Sequence, residues 1–526
     1  MKKDSAWFFA GGPASRAAWV VLIALSFLVS ATAAKAAEQI QSAPLNPQYL
    51  KYKAERESAA LAEAHSKPTP GVRPLGSIPS RIDHSQMQKN SVHSKKKCPD
   101  PPQSFDLRVQ GKVTPVKDQG VCASAWAFAA IASIESFLMP VQTNFSEELI
   151  IDTHGFDFHS CDGGYPEMAM AVAARQGVIA QNAYPYQHLD PTSPSPNTFL
   201  SAWGAAHVQN IYVIAAGPDD TQEIKSALMT YGAVVATVCW NWNNYNLQTY
   251  SYYDPNKDAT THDVAIIGWN DNYAASNFST PPKDANGNPL NGAYLVKNSW
   301  GVGFAEEGYF WLSYHDQSLA PVGYVYTAGA SSNYSWIYQI DHLGWTNSYG
   351  LGSSSAYAAN VFRASQWGQK IEAVSFYAYN PNTSYTLQIY DNCPTSGVTF
   401  AAVVDPVGGT PLLGATGLSG TLSNAGYNTI QLPQAVTVTA GTNFSVVVLV
   451  RDPSGYQYPI AVEDTSAYDD YDTSTIISGG SCANSGQSYI SADGKNWTDL
   501  APAPENPQTG CVPNGKKACI KAFGNM

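Results

Sequence analysis

The run Trp126 to Leu138 is rich in alanine, isoleucine and phenylalanine and carries no glycine or proline. Such a stretch reads as a helix buried in a core. The chain has 526 residues, more than one ordinary core accommodates, so two or more domains are expected. Ser146-Glu147-Glu148-Leu149 offers an N-cap followed by acidic residues, and so opens a second helix. Ala233 to Val238 and Val264 to Ile267 are short apolar runs bounded by turn signals and read as buried strands. Asp271 to Asn291 is a polar loop. After about residue 330 helical patterning gives way to strand-like segments at 374–377, 385–390, 427–432 and 444–450. Turns at Asn380-Pro381-Asn382, Gly408-Gly409 and Ala440-Gly441 separate them, which suits a β-sandwich.

Composition narrows the setting. Charged residues make up only 13% of the chain and aromatics 12%, with 31 tyrosines, a balance typical of β-rich extracellular domains. The net charge of −12 and the lack of a basic stripe exclude nucleic acid as a partner. The one dense basic run, Lys95-Lys96-Lys97, reads as a solvated linker or a processing site. At the N-terminus Lys2, Lys3 and Arg16 precede the apolar stretch Ala17 to Val29, and Ala34-Lys35-Ala36 supplies small residues for cleavage. Residues 1–36 are therefore expected to be a signal peptide. No later stretch is long and apolar enough to span a bilayer, so no anchor is expected after cleavage. The expected location is secreted, periplasmic or on a bacterial cell surface. Residues 37–101 are polar and proline-rich and read as a propeptide or N-terminal arm, with one helix from Leu50 to His65 before Pro68, Pro70, Pro74 and Pro79. Eight cysteines in an exported chain favour disulfides, and the lack of Cys-x-x-Cys pairs argues against zinc.

The segment Gln119-Gly120-Val121-Cys122-Ala123-Ser124-Ala125-Trp126-Ala127-Phe128 resembles the stretch around the nucleophile of the papain family of cysteine peptidases. Four further segments resemble that family in its own order. They are Ser146-Glu147-Glu148-Leu149, Cys161-Asp162-Gly163-Gly164-Tyr165-Pro166, Thr261-His262-Asp263 with the apolar run after it, and Lys297-Asn298-Ser299-Trp300-Gly301. Singly, each has a duller explanation as a turn or a structural polar residue. Their joint order reverses that. The resemblance implies an α+β fold, with a two-lobed peptidase domain over residues 102–330 (a helical lobe plus a β-barrel lobe) and an all-β sandwich after it.

The same resemblance implies roles. His262 would be the acid/base, Asn298 its orienter, Gln119 an oxyanion donor, and Trp300 a cover over the His–Asn hydrogen bond. Gly163 and Gly164 would pair with the main chain of a peptide, and Tyr165 and Pro166 would wall an apolar pocket for the substrate's second residue. Cys122 would pair with Cys161. The nucleophile position, however, is Ala125, whose methyl group cannot attack a carbonyl. Ser124 is no substitute, because one step along a helix start turns the side chain by about 100°. The alanine is either native, as in a pseudoenzyme, or an engineered knockout. Asp263 follows the histidine where the family has a small residue, and is expected to face the other way along the strand.

Residues 331–526 resemble the lectin-like sandwich that follows papain-like domains in some bacterial surface proteins. The resemblance rests on Ser488 to Leu500 and on Cys519-Ile520-Lys521-Ala522-Phe523. Asp464, Asp469, Asp470 and Asp472 form a candidate calcium site or a solvated acidic loop; no other cofactor or metal is expected. The expected function is that of a secreted cysteine peptidase homologue, inactive as written, acting on polypeptide and docking on a cell-surface glycan. The alternative is a non-catalytic peptide- or glycan-binding envelope protein.

Overall fold

The computed structural model describes residues 39–62, 74–87, 100–141, 143–156, 161–187, 205–218, 220–365, 369–396, 403–464, 485–501 and 515–525. Residues 1–36, expected to be a signal peptide, Lys95 to Lys97, Cys98, Cys482, Cys511, Asp469, Asp470 and Asp472 lie outside them. No helix among the described residues is long and apolar enough to cross a membrane.

Helix α1 is Pro47–Ala62. It begins three residues before the expected Leu50, because Asn46 accepts the Gln48 N–H at 3.0 Å and Pro47 suits a first helical turn. The rest of the arm, residues 74–87, is extended. Four helices follow: α2 (Ala125–Leu138), α3 (Glu147–Thr153), α4 (Pro166–Gln176) and α5 (Thr221–Tyr231). Ser146 caps α3 by accepting the Leu149 N–H at 3.1 Å, as its sequence predicts. Helix α2 is buried along nearly its whole length.

The strands of the first segment are β1 (Ala206–Ala215), β2 (Val234–Val238), β3 (His262–Asn270), β4 (Ala293–Lys297), β5 (Tyr309–Ser313) and β6 (Val322–Ala330). The later segment supplies β7 (Ser355–Arg363), β8 (Gln369–Ala378), β9 (Thr383–Asp391), β10 (Ala425–Val438), β11 (Asn443–Arg451) and β12 (Ile520–Asn525). One long sheet runs in the order β12-β8-β10-β1-β6-β2-β3-β4-β5, and a second contains β9-β11-β7.

The change of texture near residue 330 is not a gap between bodies. Strand β10 pairs antiparallel with β1, placing Tyr427 opposite Ile211, so a hydrogen-bonded ladder joins the two segments. The core around Trp126 and Ile131 also takes in Tyr377, Tyr427 and Phe523 from the later segment. A second core, around Trp269, Val296 and Trp300, fills the β-rich lobe. The arm adds a third tie: Gln41 and Ser42 pair with Gly350 and Tyr349. The Asp83 carbonyl accepts the Tyr379 hydroxyl at 2.6 Å.

Beneath the junction of the lobes sits a buried charge cluster. Lys117 Nζ donates to Glu135 at 2.9 Å, to Glu147 at 2.7 Å and to the Phe145 carbonyl at 2.9 Å. Thr114 donates to Glu135 at 2.5 Å and accepts from Lys297 at 3.0 Å. Burial pushes Glu147 up to about 7 and Lys297 down to about 8, so both charges persist only through their partners. Lys117→Met leaves two carboxylates buried without their cation. It is expected to lower stability by roughly 3–5 kcal/mol, read as a fall in the urea midpoint at pH 7.

Candidate active site

Residue 125 opens α2, with Ser124 at the N-cap, so its backbone N–H is among those left without an intrahelical acceptor. The Ala125 side chain is fully buried. Ser124 turns its hydroxyl to Tyr186, 3.0 Å away, and Tyr186 in turn donates to the Gln119 carbonyl at 2.8 Å. Cys122 and Cys161 form a disulfide that ties the loop before α2 to the Gly163-Gly164 segment. Among the described residues Cys239, Cys393 and Cys519 form no disulfide with one another.

His262 starts β3 and Asn298 follows β4. Asn298 Oδ1 lies 2.8 Å from His262 Nε2 and also accepts the Ser299 N–H at 2.8 Å. That second bond fixes the amide oxygen toward the imidazole, which therefore carries its proton on Nε2 when neutral. Trp300 stacks on the imidazole at 4.7 Å and is itself fully buried. Trp240 meets the edge of both rings, at 6.0 Å from His262 and 4.9 Å from Trp300. Burial in this aromatic box pushes His262 down to about 4, although Asn298 and the Leu75 carbonyl both favour its charged form.

Gln119 is held at both ends. Its Oε1 accepts the Ser299 hydroxyl at 2.6 Å, and its Nε2 donates to the Cys122 carbonyl at 2.8 Å. The same Nε2 reaches the Pro74 carbonyl at 3.0 Å and the Leu75 carbonyl at 3.5 Å. His262 Nδ1 stands 3.4 Å from that Leu75 carbonyl. A peptide carbonyl of the arm thus lies between the two groups that the sequence placed at one site.

The arm continues through the cleft as a strand. Gly164 N–H donates to the Gly76 carbonyl, and Ile78 N–H donates to the Gly164 carbonyl, both at 2.9 Å, in a parallel bridge. Close approach explains two glycines. A Cβ on Gly164 would lie 2.4 Å from the Trp126 ring, and one on Gly76, where φ is +102°, would lie 2.4 Å from the Ala123 backbone.

Tyr165 and Pro166, the two residues expected to wall an apolar pocket, take different places. Tyr165 is buried in the helical core and precedes α4 at its N-cap position, with no side-chain cap bond. Pro166 lines a cavity of about 610 Å³ together with Ser77, Ser80, His84, Thr237 and Tyr324. The Asp263 carboxylate accepts the Thr237 hydroxyl at 2.6 Å. Burial pushes it up to about 7. Of the aspartates offered as a candidate calcium site or a solvated acidic loop, Asp464 is buried and accepts the Tyr349 hydroxyl at 2.5 Å.

Comparison with known proteins places these features. Residues 101–327 match the model of the papain family cysteine proteases, and residues 337–524 that of a lectin-like domain. The chain carries a papain-family cysteine peptidase domain followed by a lectin-like domain. A cathepsin L-like peptidase of Aedes aegypti is 29% identical over 218 residues, which is 40% of this chain and 58% of the relative. Papain of Carica papaya is 28% identical over 214 residues, 40% of this chain and 54% of papain. The chain thus spans little more than half the length of these relatives. The solved cysteine protease and lectin-like domains of Cwp84, a surface layer associated protein of Clostridium difficile, superpose with a TM-score of 0.69. That match is 24% identical and covers 92% of this chain and 98% of that one. A clostridial Cwp84 variant with a cysteine changed to alanine, solved after propeptide cleavage, has a TM-score of 0.62 and 24% identity. It covers 80% of this chain and 98% of its own.

Residues that the papain-family motifs do not announce complete the site. Ser299 locks the Gln119 amide, Trp240 walls the imidazole, and Tyr186 occupies Ser124. Only Ser299 lies within a motif, and no spacing rule points at Trp240 or Tyr186.

Two outcomes check this geometry. The His262 ring is expected to titrate near 4 in the full chain, followed by NMR, and to move toward its ordinary value of about 6.5 once the arm is displaced. The sign follows from linkage. A depressed pKa means that the closed form gains in full from neutral His262 above about 6.5, and loses that gain as pH falls toward 4. Gly76→Ala is expected to loosen the arm, seen as faster amide exchange at Ile78 and Gly164 with the α2 core unchanged.

Proposed function

We propose that this chain is an exported papain-family cysteine peptidase homologue in its arm-closed precursor form. Its cleft binds polypeptide and, with Ala125 in place of a thiol, does not hydrolyse it. The observation that carries this reading is the Leu75 carbonyl set between Gln119 Nε2 and His262 Nδ1, on a strand paired with Gly164. A peptide main chain is already lodged where a reacting carbonyl would lie.

A cysteine at 125 would meet the requirements of the reaction. Its sulfur would stand at a helix N-terminus beside an imidazole, both of which favour thiolate once His262 is released from its neutral state. The thiolate would add to the carbonyl, and the oxyanion would take hydrogen bonds from Gln119 and the N–H of residue 125. His262 would then pass its proton to the leaving amine, leaving an acyl-thioester for water to cleave. Neutral, arm-covered His262 opposes the first step, so displacement of the arm precedes chemistry.

The signal-like N-terminus supports export, and the resemblance to a surface layer associated protease supports a position at the cell surface. The lectin-like segment supports docking on a glycan, with the peptidase cleft facing polypeptide.

A fluorogenic dipeptide assay tests the reading. The chain as written is expected to show background turnover only. Ala125→Cys, after loss of the arm, is expected to exceed it by roughly 10³-fold or more. Equal, substantial turnover by both would remove residue 125 from the nucleophile's place. Turnover by neither, with peptide binding retained and lost on Gly164→Ala, would establish the second reading, a peptide-binding pseudopeptidase, which the alanine itself favours.

A further inference from the structure

The arm strand covers two carboxylates that the chemistry at residue 125 does not use. Glu167, in the first turn of α4, is 2% exposed, and Asp263 on β3 is 1% exposed. Glu167 Oε1 takes three contacts: the Ser80 hydroxyl at 2.7 Å, the Tyr324 hydroxyl at 2.7 Å and His84 Nε2 at 3.0 Å. Two of these three partners belong to the arm. Glu167 Oε2 and Asp263 Oδ2 are buried without any hydrogen-bond partner. The Ser77 hydroxyl, on the arm residue in register with Gly164, acts on the Asp263 carboxyl without closing a hydrogen bond to it. Among the described residues His84 is the one basic group paired with Glu167, and Asp263 has none. Lys257 and Asp258 both line the adjoining cavity.

Two buried carboxylates with spare acceptor capacity are unfavourable partners for an apolar side chain, which leaves both unpaired. The arm meets them with hydroxyls and one imidazole, and its departure takes away His84, Ser80 and Ser77 together. Glu167 then keeps only Tyr324, and Asp263 only Thr237. We infer that this pocket, floored by Glu167 and Asp263 and vacated when the arm leaves, is a subsite for a lysine or arginine side chain. That side chain belongs to the peptide residue whose main chain pairs with Gly164. An ammonium or guanidinium group on a long apolar stem reaches both carboxylates past Pro166 and supplies the donors they lack. Burial and mutual repulsion, which raise Asp263 while it is covered, are relieved by the same cation.

This inference rests on the proposed peptide-binding cleft, and its test separates the two. Three peptides are compared that differ only at the second residue before the cleavable bond: lysine, its uncharged isostere norleucine, and glutamate. With Ala125→Cys, kcat/KM is expected to favour lysine over norleucine by at least about tenfold, with glutamate last. Asp263→Asn with Glu167→Gln in that background is expected to erase the preference. Equal rates, or a preference for norleucine, overturn the acidic subsite while leaving the peptidase reading in place. If Ala125→Cys cleaves none of the three, the catalytic reading fails. The subsite is then judged by anisotropy of the same peptides, labelled, on the unaltered chain after the arm is displaced by limited proteolysis. Tighter binding of the lysine peptide supports the subsite, and equal binding or no binding overturns it. The peptide comparison needs no pocket variant, so a misfolded double variant does not spare the inference.

Discussion

The Lys117 ion cluster is the constraint on which the site depends. One ammonium group holds Glu135 from the last turn of α2, Glu147 from the start of α3 and the Phe145 carbonyl between them. Thr114 extends the cluster to Lys297 on β4. Lys117 stands two residues before Gln119, and Lys297 one residue before Asn298. The same buried charges therefore position the loop that carries the amide donor and the strand end that carries the imidazole's partner. Charges so deeply placed contribute little net stability, because desolvation offsets their attraction. Their effect is geometric, since any other arrangement strands a charge in the core.

Above that cluster the arm converts an open cleft into a filled one. Its backbone completes the hydrogen bonding of Gly164, its carbonyls satisfy Gln119, and its cover adds to the burial that lowers the His262 pKa. The contacts that fill the cleft therefore also favour an uncharged imidazole at His262. The arm's other end pairs with Tyr349 and Gly350, so peptidase and lectin-like segments share one strap. The acidic floor under Ser77 to His84 places charge recognition in the part of the cleft that the strap occupies.

Much of this was legible in residue order. The buried helix over Trp126 to Leu138, the Ser146 cap and the short apolar strands have strong local signals, because propensity and patterning act between near neighbours. The motifs around Gln119, Gly164, His262 and Asn298 assemble as their order predicts, and Cys122 meets Cys161. Glu167 looks like an ordinary first-turn acid, and Asp263 like an outward strand residue. Neither signals that both lie beneath one strand of the arm.

The sequence by itself determined the class of each segment, the residues expected at the candidate site and the absence of a sulfur at residue 125. These are properties of residue types and their spacing. Only the tertiary structure decided that the segments on either side of residue 330 share one sheet, that the arm's own carbonyl fills the site, and that two carboxylates floor the pocket. Those outcomes rest on hydrogen bonds and charge pairs between residues far apart in the chain, whose energies depend on burial and distance. No local pattern encodes either one.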